Sequence, residues 1–212
     1  MMRKLVFALA LFGAILNLAC GIGINKTVHI EDGDTHRGSI NSVNGGIIIG
    51  KNAVLRGTGR SVNGRIEVGD GSEAQDLQTV NGRIRIGREV RIDGDVESVN
   101  GSIRSRAGTT IDGKVAAING RIELERTIVE RDIHTTNGDV TLSDNTRIKG
   151  DIVVEGRGKN FGDRVRVDIR ISGNSVVEGD VIVDDKKKDV RVYLSDGGKV
   201  LGEIKDAEVI KE

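Results

Sequence analysis

The stretch "RIGREVRIDGDVESVNGSI", residues 85–103, contains the pattern that decides the fold. Taken alone, its pair Asn100-Gly101 would be read as the turn of a β-hairpin. A fixed period of about 20 residues, however, indicates stacked repeats rather than a globular core. The Asn-Gly pair returns at intervals of 18 or 19 residues, at Asn44-Gly45, Asn63-Gly64, Asn81-Gly82, Asn100-Gly101, Asn119-Gly120 and Asn137-Gly138.

Apolar residues repeat with the same period. In the copy at Asn81 they are separated by 4, 2, 4, 2 and 4 positions, at Val80, Ile84, Ile86, Val90, Ile92 and Val96. A gap of two places two side chains on the same face of a short strand, and a gap of four spans a corner. The sequence therefore predicts an all-β fold, a single parallel β-solenoid (triangular β-helix) of about eight coils. Each coil would take 18–19 residues.

The pattern divides the chain of 212 residues into four predicted parts. Residues 1–19 are a cleaved signal peptide, 20–40 an N-terminal cap and partial coil, 41–155 the regular repeats, and 156–212 irregular coils and a cap. Residues 155–166 and 184–189 lack the pattern and are expected to bulge from corners as insertions. The charged ending "GEIKDAEVIKE", residues 202–212, is expected to form the cap.

The composition agrees with a narrow stacked core. The chain has no proline or tryptophan, and beyond residue 20 only Phe161 and Tyr193 are aromatic. The core must therefore be built from Val, Ile and Leu, which favour strands. Lysines and arginines number 32, as do aspartates and glutamates, and this balance argues against a nucleic-acid-binding protein.

The N-terminus has the layout of an export signal. Arg3 and Lys4 precede an apolar run that ends near Leu16, which is too short for a stable membrane span. The sequence "LNLAC" resembles the lipobox of bacterial lipoproteins, which implies a lipid anchor on Cys20, although Asn17 stands where leucine is usual. A cut after Gly21 is the alternative and would release a soluble secreted or periplasmic protein.

The Asn-Gly column is the first candidate site. We interpret it as structural, because asparagine tolerates the left-handed backbone, glycine adopts it freely, and stacked asparagines can bond amide to amide. A second candidate is the exposed face that follows, with the outward positions Arg65, Arg83, Ser102, Arg121 and Asp139, and Glu67, Arg85, Arg104, Glu123 and Thr141. This stripe suits either an anionic envelope polymer or a solvated face of mixed charge.

The three histidines are the remaining candidates. His29 and His36 flank "EDGDT", which could hold a divalent metal or form a polar loop at the end of the tube. Hexapeptide acyltransferases place a histidine on triangular coils, but His134 is expected at a corner without a partner. We therefore predict no catalytic site, metal or cofactor.

Two families resemble these repeats. "TVNGRIRIG", "SVNGSIR" and "TTNGDVTL" are similar to the repeats of a bacterial adhesin-like family of exported β-solenoids of unknown function. "IDGDV", "IKGDI" and "VEGDV" resemble bactofilins, polymer-forming cytoskeletal proteins that associate end to end. The first resemblance implies a non-catalytic, lipid-anchored envelope protein on the outer membrane or periplasmic side. The second implies a scaffold that self-associates through its solenoid ends.

Overall fold

The chain winds through three parallel β-sheets, one strand of each sheet per turn. A computed structural model describes residues 22–23, 25–156, 166–185 and 188–212, and in these residues every regular element is a β-strand. Successive turns pair in parallel throughout. The predicted parallel β-solenoid is confirmed, with about nine turns of about 19 residues. At about 4.8 Å per turn the stack is roughly 40 Å long.

The strands are numbered in chain order. Sheet 1 contains β1 (Ile22–Gly23), β4 (Ile40–Ser42), β7 (Gly59–Ser61), β10 (Leu77–Thr79), β13 (Val96–Ser98), β16 (Val115–Ala117), β19 (Ile133–Thr135), β22 (Ile152–Val154), β25 (Val181–Val183) and β28 (Ile204–Lys205). Sheet 2 contains β2 (Val28–Ile30), β5 (Ile47–Ile49), β8 (Ile66–Val68), β11 (Ile84–Ile86), β14 (Ile103–Ser105), β17 (Ile122–Glu125), β20 (Val140–Ser143), β23 (Arg166–Ile171), β26 (Asp189–Leu194) and β29 (Glu208–Lys211). Sheet 3 contains β3 (Thr35–Arg37), β6 (Val54–Arg56), β9 (Glu73–Ala74), β12 (Arg91–Ile92), β15 (Thr110–Ile111), β18 (Ile128–Val129), β21 (Arg147–Ile148), β24 (Val176–Val177) and β27 (Lys199–Val200).

Three corners join the sheets in every turn. We call the passage from sheet 1 to sheet 2 the first corner, from sheet 2 to sheet 3 the second, and from sheet 3 back to sheet 1 the third. The Asn-Gly pairs lie at the first corner, between strands such as β10 and β11. Left-handed backbone is concentrated at the second corner, for example at Asn52, Gly71, Glu89 and Gly108.

The core is a set of stacked columns of branched aliphatic side chains. Ile84, Ile103 and Ile122 occupy the same register position in successive turns of sheet 2, and all three are fully buried. Like side chains stack on like because each turn repeats the shape of the previous one. A narrow interior of this kind has room for Val and Ile but not for large aromatic rings.

One column of apolar residues that was predicted to lie in the core lies outside it. Val80, which the apolar pattern placed inside, is only half-buried at the first corner. Because side chains alternate along β10, Leu77 and Thr79 face the core and Val80 follows outside it. The prediction was wrong at this position because a pattern of apolar residues cannot detect a buried threonine.

Both segments predicted to be insertions replace the first corner of a late turn. They join β22 to β23 and β25 to β26, and the structure does not describe residues 157–165 and 186–187 within them. The following strands, β23 and β26, are six residues long and pair along their whole length. Where the first corner lacks an Asn-Gly pair, the sheet 2 strand that follows is therefore longer.

The two ends of the stack are made of strands. Residues 22–37, predicted as part of a cap and partial coil, already supply one strand to each sheet. The ending predicted to be a cap forms β28 and β29 and continues sheets 1 and 2. In the described part of the chain no strand pairs with the outer edge of β27, β28 or β29.

Candidate functional site

The asparagines of the first corner form one ladder of hydrogen bonds. Each Nδ2 atom donates to Oδ1 of the asparagine one turn earlier, at 2.7–2.9 Å, through Asn44, Asn63, Asn81, Asn100, Asn119 and Asn137. The ladder begins at Asn25, whose Oδ1 accepts from Asn44 at 2.8 Å. Sequence reasoning missed Asn25 because lysine, not glycine, follows it. Within the ladder each amide is satisfied by the layers above and below, whereas Asn137 Oδ1, at its end, accepts no hydrogen bond among the described residues.

The glycines of these pairs are required by close packing between turns. None of the paired residues has a positive φ, so the expectation of a left-handed backbone there was wrong. A Cβ atom on Gly101 would lie 1.7 Å from the carbonyl oxygen of Gly82. A Cβ atom on Gly82 would lie 2.0 Å from the carbonyl oxygen of Gly64. Above Lys26, which begins the column, only a residue without a side chain fits.

Small hydroxyl side chains line the inner side of the same corner. The Oγ atom of Ser61 donates to the carbonyl oxygen of Gly45 at 3.0 Å, and that of Ser98 donates to Gly82 at 3.2 Å. The column contains Ser42, Ser61, Thr79, Ser98 and Thr135, all buried. These hydroxyls satisfy carbonyl groups that face the core, which would otherwise be costly to bury.

A second ladder, which we did not predict, runs along the third corner. Asp76 Oδ1 accepts a hydrogen bond from the backbone N–H of Asp95 at 2.9 Å, and Asp95 Oδ1 accepts one from Lys114 N–H at 2.9 Å. The series resumes through Asp132, Asp151 and Asp180 at 2.8–2.9 Å. A Cβ atom on Gly94 would lie 2.2 Å from Asp76 Oδ1. The recurring Gly-Asp pair is therefore the sequence signal of this ladder, since the glycine leaves room for the previous carboxylate.

The last rung of the Gly-Asp ladder is charge-assisted. The Lys205 ammonium lies 2.6 Å from Asp180 Oδ2 and, together with the backbone N–H of Glu203, lowers the pKa of Asp180 below its usual value. Hydrogen bonds to the ionised carboxylate favour the charged form. Ionised Asp180 thus joins the final turn to the turn before it.

The predicted basic stripe is an array of ion pairs on sheet 2. Arg65 Nε lies 3.0 Å from Glu67 Oε1, and Arg85 Nη1 lies 3.4 Å from the same carboxylate. Arg104 donates to Glu123 at 2.6 Å. Arg121 lies 3.7 Å from Asp139, while Arg83 has no ion pair within the described residues. These contacts favour the interpretation as a solvated face of mixed charge.

The residues proposed as a metal site do not converge. His36 shares its inward register position on sheet 3 with buried Leu55, whereas His29 is exposed on sheet 2. Asp32 Oδ1 accepts the backbone N–H of Lys51 at 2.7 Å. Nowhere in the described ranges do three His, Cys, Asp or Glu side chains form a group that could hold a metal ion.

His134 is not the isolated corner residue that the sequence suggested. It lies within β19, and its Nδ1 atom is 3.0 Å from Glu155 Oε1. Its Nε2 atom is 4.0 Å from Asp132 Oδ2. The histidine thus joins two turns of sheet 1 by polar contacts, with hydrophobic Val153 and Ala116 as its neighbours in register.

A charged cluster surrounds the only aromatic side chain of the described residues, Tyr193. Arg166 donates to the Tyr193 hydroxyl at 2.7 Å, and the Arg170 guanidinium lies 5.1 Å from the ring centroid. Between them, Asp168 accepts from both arginines at 2.9 and 2.7 Å. Burial opposes ionisation of Asp168, but the arginine hydrogen bonds outweigh it and lower its pKa. The cluster fastens the lengthened strands β23 and β26 to each other.

Asp168→Asn is expected to destabilise the protein by about 1 kcal/mol near neutral pH, because the pairs are partly screened by solvent. A lowered pKa stabilises the fold above the unfolded-state pKa of about 3.9, and that stabilisation is lost as pH falls through the folded-state pKa. The difference between wild type and variant should therefore shrink in acid. Urea unfolding at neutral and acidic pH measures it.

Asp189→Asn is the matched control, because the Asp189 carboxylate lies 3.6 Å from Arg191 and its side chain is 42% exposed, against 14% for Asp168. It should change the free energy of unfolding by less than Asp168→Asn. An Asp168→Asn effect that is equal at both pH values would contradict the assigned role of the carboxylate.

A shallow depression lies on sheet 2. Its volume is about 340 Å³, and Arg104, Arg106, Glu123, Glu125, Thr141 and Ser143 are among its lining residues. It lies beside Glu125, Arg126 and Thr127, where the second corner is one residue shorter than in the turns before and after it. Its guanidinium and carboxylate groups balance in charge.

Cys20 lies outside the residues that the structure describes. Lipidation of this residue therefore stays a prediction from the sequence. The described segments contain no helix long and apolar enough to cross a membrane.

No family model, curated protein or solved structure matches the chain. What is established is the class of fold, a parallel β-solenoid repeat protein.

Proposed function

We propose that the chain is a non-catalytic structural or adhesin-like element of the bacterial cell envelope, exported and held at a membrane by a lipid on Cys20. The observation that carries this proposal is the continuity of the stack. Hydrogen-bond ladders at the first and third corners join successive turns, and the core columns run through them. Solenoids of this kind present long, stiff surfaces whose shape follows from the repeat.

The outer faces support a role in display or spacing. On sheet 2 the arginines and carboxylates largely pair with each other, so the face is charged but balanced. Arg83, which is exposed and has no ion pair among the described residues, is one cation that an anionic envelope polymer could contact on this face. Binding to such a polymer would be weak and sensitive to salt, because exposed charges are screened.

Cys20→Ala tests the anchor directly. In a bacterial host fed with a labelled fatty acid, the natural chain should incorporate label and fractionate with membranes. The Cys20→Ala chain should lose the label and appear in the soluble fraction. Equal labelling of the two chains would remove the lipid anchor from the proposal, and retention of both in the cytoplasm would remove export as well.

A bactofilin-like polymer is the second candidate. The observation that favours it is the C-terminal end of the stack, where no described strand pairs with the outer edges of β27 and β29 and where Leu201 is 61% and Val209 42% exposed. Open strand edges are templates for pairing with a further chain. Electron microscopy of protein lacking residues 1–20 separates the candidates, since regular filaments favour the polymer and dispersed rods favour the envelope element.

A further inference from the structure

The first-corner ladder brings together the dipeptide most prone to spontaneous deamidation. In an Asn-Gly pair the glycine peptide nitrogen can attack Cγ of the asparagine. A C–N bond forms, the Cγ–Nδ2 bond breaks, and ammonia leaves with the proton of the peptide nitrogen. Water then opens the cyclic imide to aspartate or isoaspartate. The reaction needs no enzyme, metal or oxidant.

In the folded solenoid the reacting groups are held in place. Asn100 donates through Nδ2 to Asn81 at 2.9 Å and accepts at Oδ1 from Asn119 at 2.8 Å. Its backbone N–H donates to the carbonyl oxygen of Val80 at 2.7 Å. Closing the imide ring requires the Asn100 side chain to break both of its hydrogen bonds to the neighbouring asparagines. It also requires movement of Gly101, which is packed against the backbone of Gly82.

Reaction at one rung would weaken the adjacent rungs. An aspartate in place of Asn100 has no amide donor for Asn81 Oδ1 and adds a negative charge beside it. An isoaspartate adds a carbon to the main chain, which breaks the register of a stack that tolerates no extra atom at this corner. Asn81 therefore loses one of its two ladder hydrogen bonds in either product, and Asn119 loses its acceptor where the isoaspartate shifts the register.

We propose that the Asn-Gly pairs are latent self-modification sites and that the amide ladder keeps the five from Asn44 to Asn119, which make both ladder hydrogen bonds, unreacted, so that interrupting one rung opens the adjacent ones to imide formation. The modification is local because each turn contacts only the adjacent turns. Protection is thus a property of the intact ladder and not of exposure alone, since most of these asparagines are exposed.

The test compares full-length variants incubated at mildly alkaline pH, with peptide mass spectrometry of each Asn-Gly pair. In Asn100→Ala, confirmed as folded by circular dichroism, Asn81 and Asn119 should deamidate at least about tenfold faster than in wild type, as for sites freed by local opening. Asn44, three turns away, should keep its wild-type rate. In urea all six pairs of the wild type should react rapidly.

Ser98→Ala is the matched control. Ser98 lies in the same turn as Asn100, and the substitution removes the hydrogen bond from its hydroxyl to the Gly82 carbonyl oxygen. The amide ladder stays complete, so Asn81 and Asn119 should react near the wild-type rate. If Asn100→Ala does not fold, Asn137→Ala serves instead and should accelerate only Asn119. Wild-type rates at the neighbours of the missing rung, or equal rates in folded and unfolded wild type, would overturn the proposal.

Discussion

Gly101→Ala is expected to lower the free energy of unfolding by about 3 kcal/mol or more, at the upper end of the effects of overpacking. The added Cβ would lie 1.7 Å from the carbonyl oxygen of Gly82. Both groups belong to backbone that is fixed by the stack, so neither can turn aside as a flexible side chain would. Chemical denaturation followed by circular dichroism measures the loss.

Gly33→Ala is the control for backbone conformation. Gly33 has a φ of +77° and no heavy atom within 4 Å of an added Cβ. Its replacement should destabilise by only about 1 kcal/mol, the usual penalty of a left-handed residue with a side chain. Equal losses for the two variants would show that the turns can move apart to admit a Cβ atom and would contradict the close-packing role of Gly101.

Ile111→Ala is expected to destabilise by about 3 kcal/mol, within the range for truncating a fully buried isoleucine. Ile111 has no exposed surface and lies in the sheet 3 column between Ile92 and Val129. The narrow interior has no mobile neighbour that could fill the cavity, because the adjacent layers have the same rigid shape. Hydrogen exchange should show the loss of protection centred on the adjacent turns.

Ile128→Ala provides the comparison one strand further along. Ile128 follows Thr110 in register and is 39% exposed, so its truncation should change stability by less than about 1 kcal/mol. Similar losses for Ile111→Ala and Ile128→Ala would contradict the assignment of inside and outside on sheet 3.

The period of the Asn-Gly pairs and of the apolar residues was enough to predict the architecture, because stacking requires every turn to repeat the same residue types. It was not enough to place every buried position. Thr79 and Ser98 are core residues whose hydroxyls satisfy glycine carbonyls, and an apolar pattern ignores them. The half-buried Val80 was assigned inward for the same reason.

The corners show which physical cause was misjudged. Glycine was expected at the first corner for its left-handed backbone, whereas Gly82 and Gly101 are there because the turns approach too closely for a Cβ atom. The Gly-Asp ladder was visible as a repeated phrase, but its hydrogen bonds join residues 19 or more positions apart, as between Asp76 and Asp95. Such contacts become readable only after the turns are aligned in register.

Distances along sheet 2 test the central claim, a continuous parallel stack. Cysteines for spin labelling would be introduced in pairs into the Cys20→Ala chain. The positions are Ile48, Glu67, Thr141 and Arg170, which share one outward register position on sheet 2. Pulsed electron paramagnetic resonance should give about 19 Å for Glu67–Thr141, about 24 Å for Glu67–Arg170 and about 29 Å for Ile48–Arg170, one strand spacing per turn. Distances that do not rise stepwise with the number of turns would contradict the solenoid.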